Sequence, residues 1–156
     1  MKILDIDNPE TNEIIIGQGN FTVFTVDDLA KTLEEAKPGI EFGIAMNEAK
    51  PKLVRVAGNS EKLKERAAKT ALKIGSGHLF VIYMKNAFPI DVLKAIKAHP
   101  CVVNVYAATS NPLQVLVEET NLGKSVVGVV DGSSATKIEN EKEKKERQEL
   151  VKKLGY

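Results

Sequence analysis

The 156-residue sequence has one cysteine, Cys101. That excludes an internal disulfide and a zinc site built from several cysteines. Charge of one sign is also missing. Lys plus Arg number 22 and Asp plus Glu 21, a formal net charge of +1, so nothing in the balance calls for nucleic acid, a membrane surface or another polyanion. No apolar run approaches the roughly 20 residues that span a bilayer. The opening MKILDIDNPE carries acids early and lacks the apolar block of a signal peptide. A reducing cytoplasm is the compartment these absences point to. What is present is 43% hydrophobic and 28% charged, a composition that folds rather than stays disordered. At this length it predicts a single domain over residues 1–156 with its own core.

Hydrophobic patterning predicts about four helices among eight or so strands, hence one mixed α/β (α+β) domain. Strands are expected over 2–7 and 13–17. The second carries Ile14, Ile15 and Ile16 in a row, which suits a strand covered on both faces. A turn at Gly17, Gly19 and Asn20 would lead into another extended run, 21–26. Thr25 caps the first helix, with Leu29, Leu33 and Ala36 on one face, ended by Pro38-Gly39. A hairpin follows from strands 40–46 and 52–57, with Gly43 marking a bulge or a close backbone approach. Asn59 or Ser60 caps the second helix, whose stripe is Leu63, Ala67, Ala71 and Ile74 and whose stop is Gly75. An apolar strand, 77–84, a helix from Pro89 to Ala98, strands 102–108, 113–117 and 125–130, and a polar helix over 138–154 complete the chain. Strand order is not legible.

Standard signatures are missing. Gly123-Lys124-Ser125 ends like a phosphate-binding loop, but Glu118 stands where its first glycine belongs and a strand follows instead of a helix. Gly17-Gln18-Gly19 lacks the rest of a dinucleotide fingerprint. His78 is the residue of most chemical interest. It follows Ser76-Gly77 at the mouth of the most apolar strand; glycine permits close approach of a ligand, and imidazole is a nucleophile and proton carrier near neutrality. The alternative is a strand-end histidine satisfied by a backbone carbonyl. His99 before Pro100 reads as a helix-end residue. Thr109 and Asn111 offer a hydroxyl and an amide after a strand, suited to a base or ribose edge, or to a turn fixed by Asn111-Pro112. Asp131, followed by Gly132, suits a ribose, a metal or its own turn. Arg55 suits bidentate phosphate contact and Glu48 a hydroxyl proton, unless both are surface charges. The helix start at Asn59-Ser60 offers an anion site, and Cys101 reads as a buried structural thiol. The balanced Lys/Glu helix at the end reads as solvated, with Leu150, Val151 and Leu154 leaving room for an interface. Its Lys/Glu richness, with one cysteine, tilts towards a thermophile.

Taken in order, Phe42-Gly43-Ile44-Ala45-Met46-Asn47-Glu48-Ala49, Leu53-Val54-Arg55, Gly77-His78-Leu79-Phe80-Val81-Ile82, Asn86-Ala87-Phe88-Pro89-Ile90-Asp91-Val92-Leu93, Ala108-Thr109-Ser110-Asn111-Pro112 and Gly128-Val129-Val130-Asp131-Gly132 resemble the adenosine-specific kinase family of small archaeal and bacterial proteins. The likeness extends to Gly155-Tyr156. Lys50-Pro51 departs from it, standing where Ser-Gly is expected. The resemblance implies recognition of adenosine and AMP, and a phosphoryl-carrying histidine that matches His78 by its Gly-His-apolar context. On that basis His78 is the expected phosphoryl carrier. Arg55 and the backbone near Gly77 would neutralise phosphate; Thr109, Asn111 and Asp131 would hold base or ribose; Glu48 would make a proton or hydroxyl contact. The phosphoryl donor is not identified. Such a donor ordinarily brings Mg²⁺, but no two-carboxylate metal motif is present. A non-catalytic adenosine or AMP sensor, without turnover, is the alternative. The expected partners are adenosine or AMP and further copies of the chain in a homo-oligomer, without nucleic acid or membrane.

Overall fold

Ile14, Ile15, Ile16 and Gly17 are all buried, and the architecture is arranged around the strand they form. The computed structural model describes residues 1–156. Strand β2 (Glu13–Gly19) lies within a five-stranded sheet of order β4-β3-β5-β2-β6. Its other members are β3 (Glu41–Asn47), β4 (Val54–Gly58), β5 (Leu79–Lys85) and β6 (Val102–Thr109). Every pairing is antiparallel. Successive side chains of a strand face opposite ways. Ile15 therefore joins one core while Ile14 and Ile16 join another. Complete burial of each isoleucine contributes about 1.5–3 kcal/mol.

The first core is closed by α1 (Val26–Ala36) and α3 (Pro89–Ala98), which bring Leu29, Leu33, Val92 and Ile96 against Phe42, Ile44, Phe80 and Ile82. The second is closed by α2 (Glu61–Ile74), through Leu63, Ala67, Ala71 and Ile74. Beside it lies a three-stranded antiparallel sheet of order β1-β7-β8: β1 (Lys2–Asp5), β7 (Leu113–Glu119) and β8 (Lys124–Asp131). The central sheet is thus the middle of three layers. Helix α4 (Glu141–Lys153) buries no residue.

The mixed α/β class, four helices and eight strands agree with the sequence pattern. Two local expectations are corrected and one choice between two caps is decided. Residues 21–26 form no strand; β2 runs on to Gly19, and the chain then bends into α1. Backbone pairing explains this, because Gly19 N–H donates to His78 O and Asn20 N–H to Cys101 O, so the glycines extend the sheet instead of turning it. Gly77 and His78 precede β5 rather than belonging to it. The cap of α2 is Ser60, whose Oγ accepts from Leu63 N–H at 3.3 Å. Asn59 instead ties its loop to the strand before it, accepting from Phe42 N–H and donating to Ile40 O.

Gly43 is the close approach its place in a strand suggests. A Cβ there would lie 2.2 Å from Lys64 N and 2.3 Å from Leu63 C, so the first turn of α2 rests directly on β3. Gly43→Ala is expected to cost about 1–3 kcal/mol or more, read as a lower midpoint in urea unfolding at unchanged slope.

Candidate functional site

Helix α2 ends where Gly75 adopts φ 72°, its N–H donating to Ala71 O. Three residues later His78 also takes a left-handed backbone, φ 59°. That conformation costs a non-glycine residue about 1–2 kcal/mol, and neighbours hold it. His78 N–H donates to Asn47 O at 2.9 Å, and His78 O accepts from Gly19 N–H at 2.8 Å. The half-buried imidazole makes no hydrogen bond within the protein. The backbone, not the ring, is what the fold grips.

The brace is Asn47, a member of the Phe42–Ala49 motif. It is 7% exposed, and its Nδ2 donates to both Ala71 O and Ser76 O at 2.9 Å. One amide thus fixes the helix end and the loop leading to His78, while its Oδ1 has no partner. The only sequence signal for this was a polar side chain closing an otherwise apolar strand, FGIAMN.

Glu48 and Arg55 come from the adjoining β3–β4 hairpin. Arg55 Nε and Nη2 both approach Glu48 Oε2 at 3.0 Å. Arg55 stands opposite Met46 across one edge of β3, and His78 bonds to Asn47 across the other. Two strand spacings put their backbones about 10 Å apart. Gly77 belongs to the same rim, with Ala49 Cβ its nearest neighbour at 3.9 Å from where a Cβ would stand. An imidazole, a guanidinium and a carboxylate therefore share one end of the central sheet.

Thr109, Asn111 and Asp131 are brought together, but elsewhere. Thr109 Oγ1 accepts from Asn111 N–H at 3.0 Å, and Asn111 Nδ2 donates to Asp131 Oδ1 at 3.2 Å. Gly132 closes this turn, donating to Pro112 O at φ 72°. Thr109 pairs with Ile14, whereas His78 lies opposite Gly19. Five residues of β2 separate the two clusters, about 17 Å along the strand. In one chain they are the two ends of the sheet, not one pocket.

The remaining candidates have structural uses. His99 is the C-cap of α3; its Nδ1 accepts from Cys101 N–H at 3.1 Å, and its ring meets Phe24 edge-on. Lys124, of the incomplete phosphate-loop motif, lies over the C-terminal end of α2, its Nζ 3.4 Å from where a Cβ on Gly75 would stand. A cation there complements the helix dipole. At the start of α2 the cavity is lined by Glu34 and Glu41 beside Asn59 and Ser60, carboxylates that disfavour an anion.

Two comparisons place the chain among known proteins. A family model described as adenosine specific kinase matches residues 4–156. The chain belongs to the adenosine-specific kinase family. The crystal structure of the PH1918 protein from Pyrococcus horikoshii OT3 is similar at 61% identity, with a TM-score of 0.96, covering 99% of this chain and 96% of that one. No curated protein matches.

Kinase chemistry brings Mg²⁺ to mind. That ion is held by one or two carboxylates together with substrate phosphates. No group of three or more His, Cys, Asp or Glu side chains converges, and beside His78 the carboxylate is Glu48, already engaged by Arg55. These protein groups alone do not make a magnesium site.

His78→Gly is expected to leave unfolding stability within about 1 kcal/mol of the parent, since glycine adopts this conformation freely but gains entropy when unfolded; thermal melting reads it. A larger loss would make His78 a packing residue. Burial pushes the Cys101 thiol up to about 11. At pH 8 it is therefore protonated and enclosed, so Ellman's reagent is expected to react only as the protein unfolds. Prompt reaction with the folded protein would contradict that placement.

Proposed function

We propose that this protein binds adenosine or AMP and that His78 carries the phosphoryl group in a transfer to adenosine. The observation that carries the reading is His78 itself, a non-glycine residue held left-handed by Asn47 and Gly19 while its imidazole is left without a protein partner. Strain of this kind concentrates at functional positions. Membership of the adenosine-specific kinase family supports the substrate.

The chemistry balances in two steps. A neutral imidazole nitrogen attacks the terminal phosphorus of a phosphoanhydride donor. A P–N bond forms, the bridging P–O bond breaks, the donor leaves shortened by one phosphate, and the ring proton passes to water. The 5′-hydroxyl oxygen of adenosine then attacks the same phosphorus. The P–N bond breaks, the ring takes back a proton from water so that neutral imidazole is regenerated, AMP forms, and the hydroxyl proton passes to Glu48 or water. Arg55 and backbone N–H groups at Gly77 neutralise charge on the moving phosphoryl group. The protein acts in the cytoplasm as one domain over residues 1–156 and assembles as a homo-oligomer, which light scattering reads. No helix is long and apolar enough to cross a membrane.

A specific observation favours the second reading, an adenosine or AMP sensor without turnover. Within one chain Thr109, Asn111 and Asp131 stand about 17 Å along β2 from the His78 end, so they do not hold a nucleoside that this histidine could reach. Incubation with γ-labelled ATP and adenosine separates the two. The enzyme forms AMP and acquires acid-labile label, and His78→Ala loses both, whereas adenosine bound without label or AMP from any donor is the sensor's result.

A further inference from the structure

The cations of this molecule differ in whether a carboxylate already holds them. At the end of the sheet opposite His78, a cleft of about 440 Å³ lined by Asn12, Phe88 and Tyr156 contains Lys37 and Lys85. Asp91 answers the first at 4.0 Å and Glu10 the second at 3.0 Å. On the His78 rim Arg55 is taken by Glu48. Along α2, Lys62, Arg66 and Lys69 are taken by Glu10, Asp7 and Glu65. Lys124 is different. It is half-buried, and no carboxylate lies within ion-pair reach of it. Glu119, opposite it in the β7–β8 register, leaves it free, and Glu118 is engaged by the N-terminal amine.

A well-tied turn delivers this lysine. Thr120 Oγ1 accepts from Leu122 N–H at 3.2 Å and from Gly123 N–H at 3.3 Å, and Thr120 N–H donates to Gly123 O at 2.8 Å. Strand β8 therefore starts from a fixed point. Lys124 crosses from it to the end of α2, with Cδ 3.1 Å and Nζ 3.4 Å from where a Cβ on Gly75 would stand. Gly75 opens the loop 75–78. In that loop Ser76, 9% exposed, and Gly77 each carry a backbone N–H that donates to nothing in the protein. Buried N–H groups are seldom left so. The His78 ring is without a partner too. Leu79 N–H donates to Ser76 O at 3.4 Å and curls the loop, which brings Gly75 and His78 closer than the about 10 Å that three extended residues span. An unanswered ammonium, two free N–H groups and a free imidazole thus belong to one turn of chain.

Electrostatics supply the reason for a cation there. The C-terminal end of a helix carries about half a negative charge. An anion brought to His78 approaches that end of α2 and meets partial charge of its own sign. An ammonium beside the helix end reverses it. We propose that Lys124 is a phosphate-binding residue of the His78 loop, and that residues 75–78 with Lys124 form a site for the terminal phosphate of a phosphoanhydride. The Ser76 and Gly77 N–H groups donate to its non-bridging oxygens, as successive backbone N–H groups do in anion-binding turns. When an imidazole nitrogen attacks the phosphorus, the P–N bond forms and the bridging P–O bond breaks. Its electron pair leaves on the donor's oxygen, and the ring proton passes to water. Lys124 keeps its own proton throughout and holds the charge on the non-bridging oxygens. The transfer step rests on the His78 reading; the anion site does not.

Inorganic tripolyphosphate, titrated into the full chain and followed by amide NMR, is expected to shift Ser76, Gly77 and Lys124 most. Lys124→Gln weakens that binding about tenfold or more, the usual worth of one charge-assisted contact, and Lys124→Arg retains it. Lys152→Gln, which removes the same charge from α4, leaves it unchanged. No shift in residues 75–78, or equal weakening by Lys152→Gln, overturns the site. The second arm uses γ-labelled ATP at a temperature where melting shows every variant folded. Lys124→Gln gains acid-labile label at least about tenfold more slowly than the parent, and Lys124→Arg restores the rate. A lysine that only covers a helix end would move the melting temperature and not the labelling. Label gained at the parental rate overturns the part of Lys124 in transfer and leaves the His78 reading standing. Tripolyphosphate bound through Lys124, with no label on His78 from any donor, supports the anion site and sinks the His78 reading alone.

Discussion

Burial of β2 on both faces constrains everything else in this molecule. With Ile15 committed to the layer of α1 and α3, and Ile14 and Ile16 to the layer of α2 and the small sheet, neither face of the sheet is open to a ligand at its centre. Polar side chains in the middle of such a sheet would be desolvated without compensation. Chemistry is therefore pushed to the two ends of the strands, where loops leave the sheet and backbone groups are free. The His78 rim and the Asn12–Phe88 cleft are those two ends.

The ends are built by different means. At His78 a helix terminus does the work. Gly75 stops α2, Lys124 lies over its end, and Asn47 ties the last carbonyls to the loop that follows. The result is a rigid backbone presenting a ring that nothing else holds. At the opposite end, short loops with left-handed residues form the walls, and a helix from the far end of the sequence supplies the last side chain. One end has an imidazole with a guanidinium on the same rim; the other has aromatic surface and amides. The family model that matches the chain is described as adenosine specific kinase.

Much of this was legible in the residues. Isoleucines in a row marked the doubly covered strand. Leu63, Ala67, Ala71 and Ile74 marked the buried stripe of α2, and Pro89 and Ala98 bound α3 as expected. Gly43 signalled the close approach of α2. Residues 21–26 misled because Phe21, Val23, Phe24 and Val26 are aromatic or β-branched apolar residues of the kind that strands favour. They cannot fold back onto β2 as a hairpin, since β5 and β6 already flank it. Asn47 was not legible as a site residue at all. Asn47 matters through a buried amide group whose partners, Ala71 O and Ser76 O, come from a distant part of the chain.

Local pattern by itself determined the elements, their caps and the ordered motifs that mark the family, because helix and strand periodicity and turn chemistry are properties of adjacent residues. Which motifs share a neighbourhood was decided only by the tertiary structure. Thr109 and His78 look like parts of one site when written in a line, yet the antiparallel order β5-β2-β6 sends them to opposite ends. Strand order depends on how several amphipathic elements bury their faces together, and no single segment carries that information.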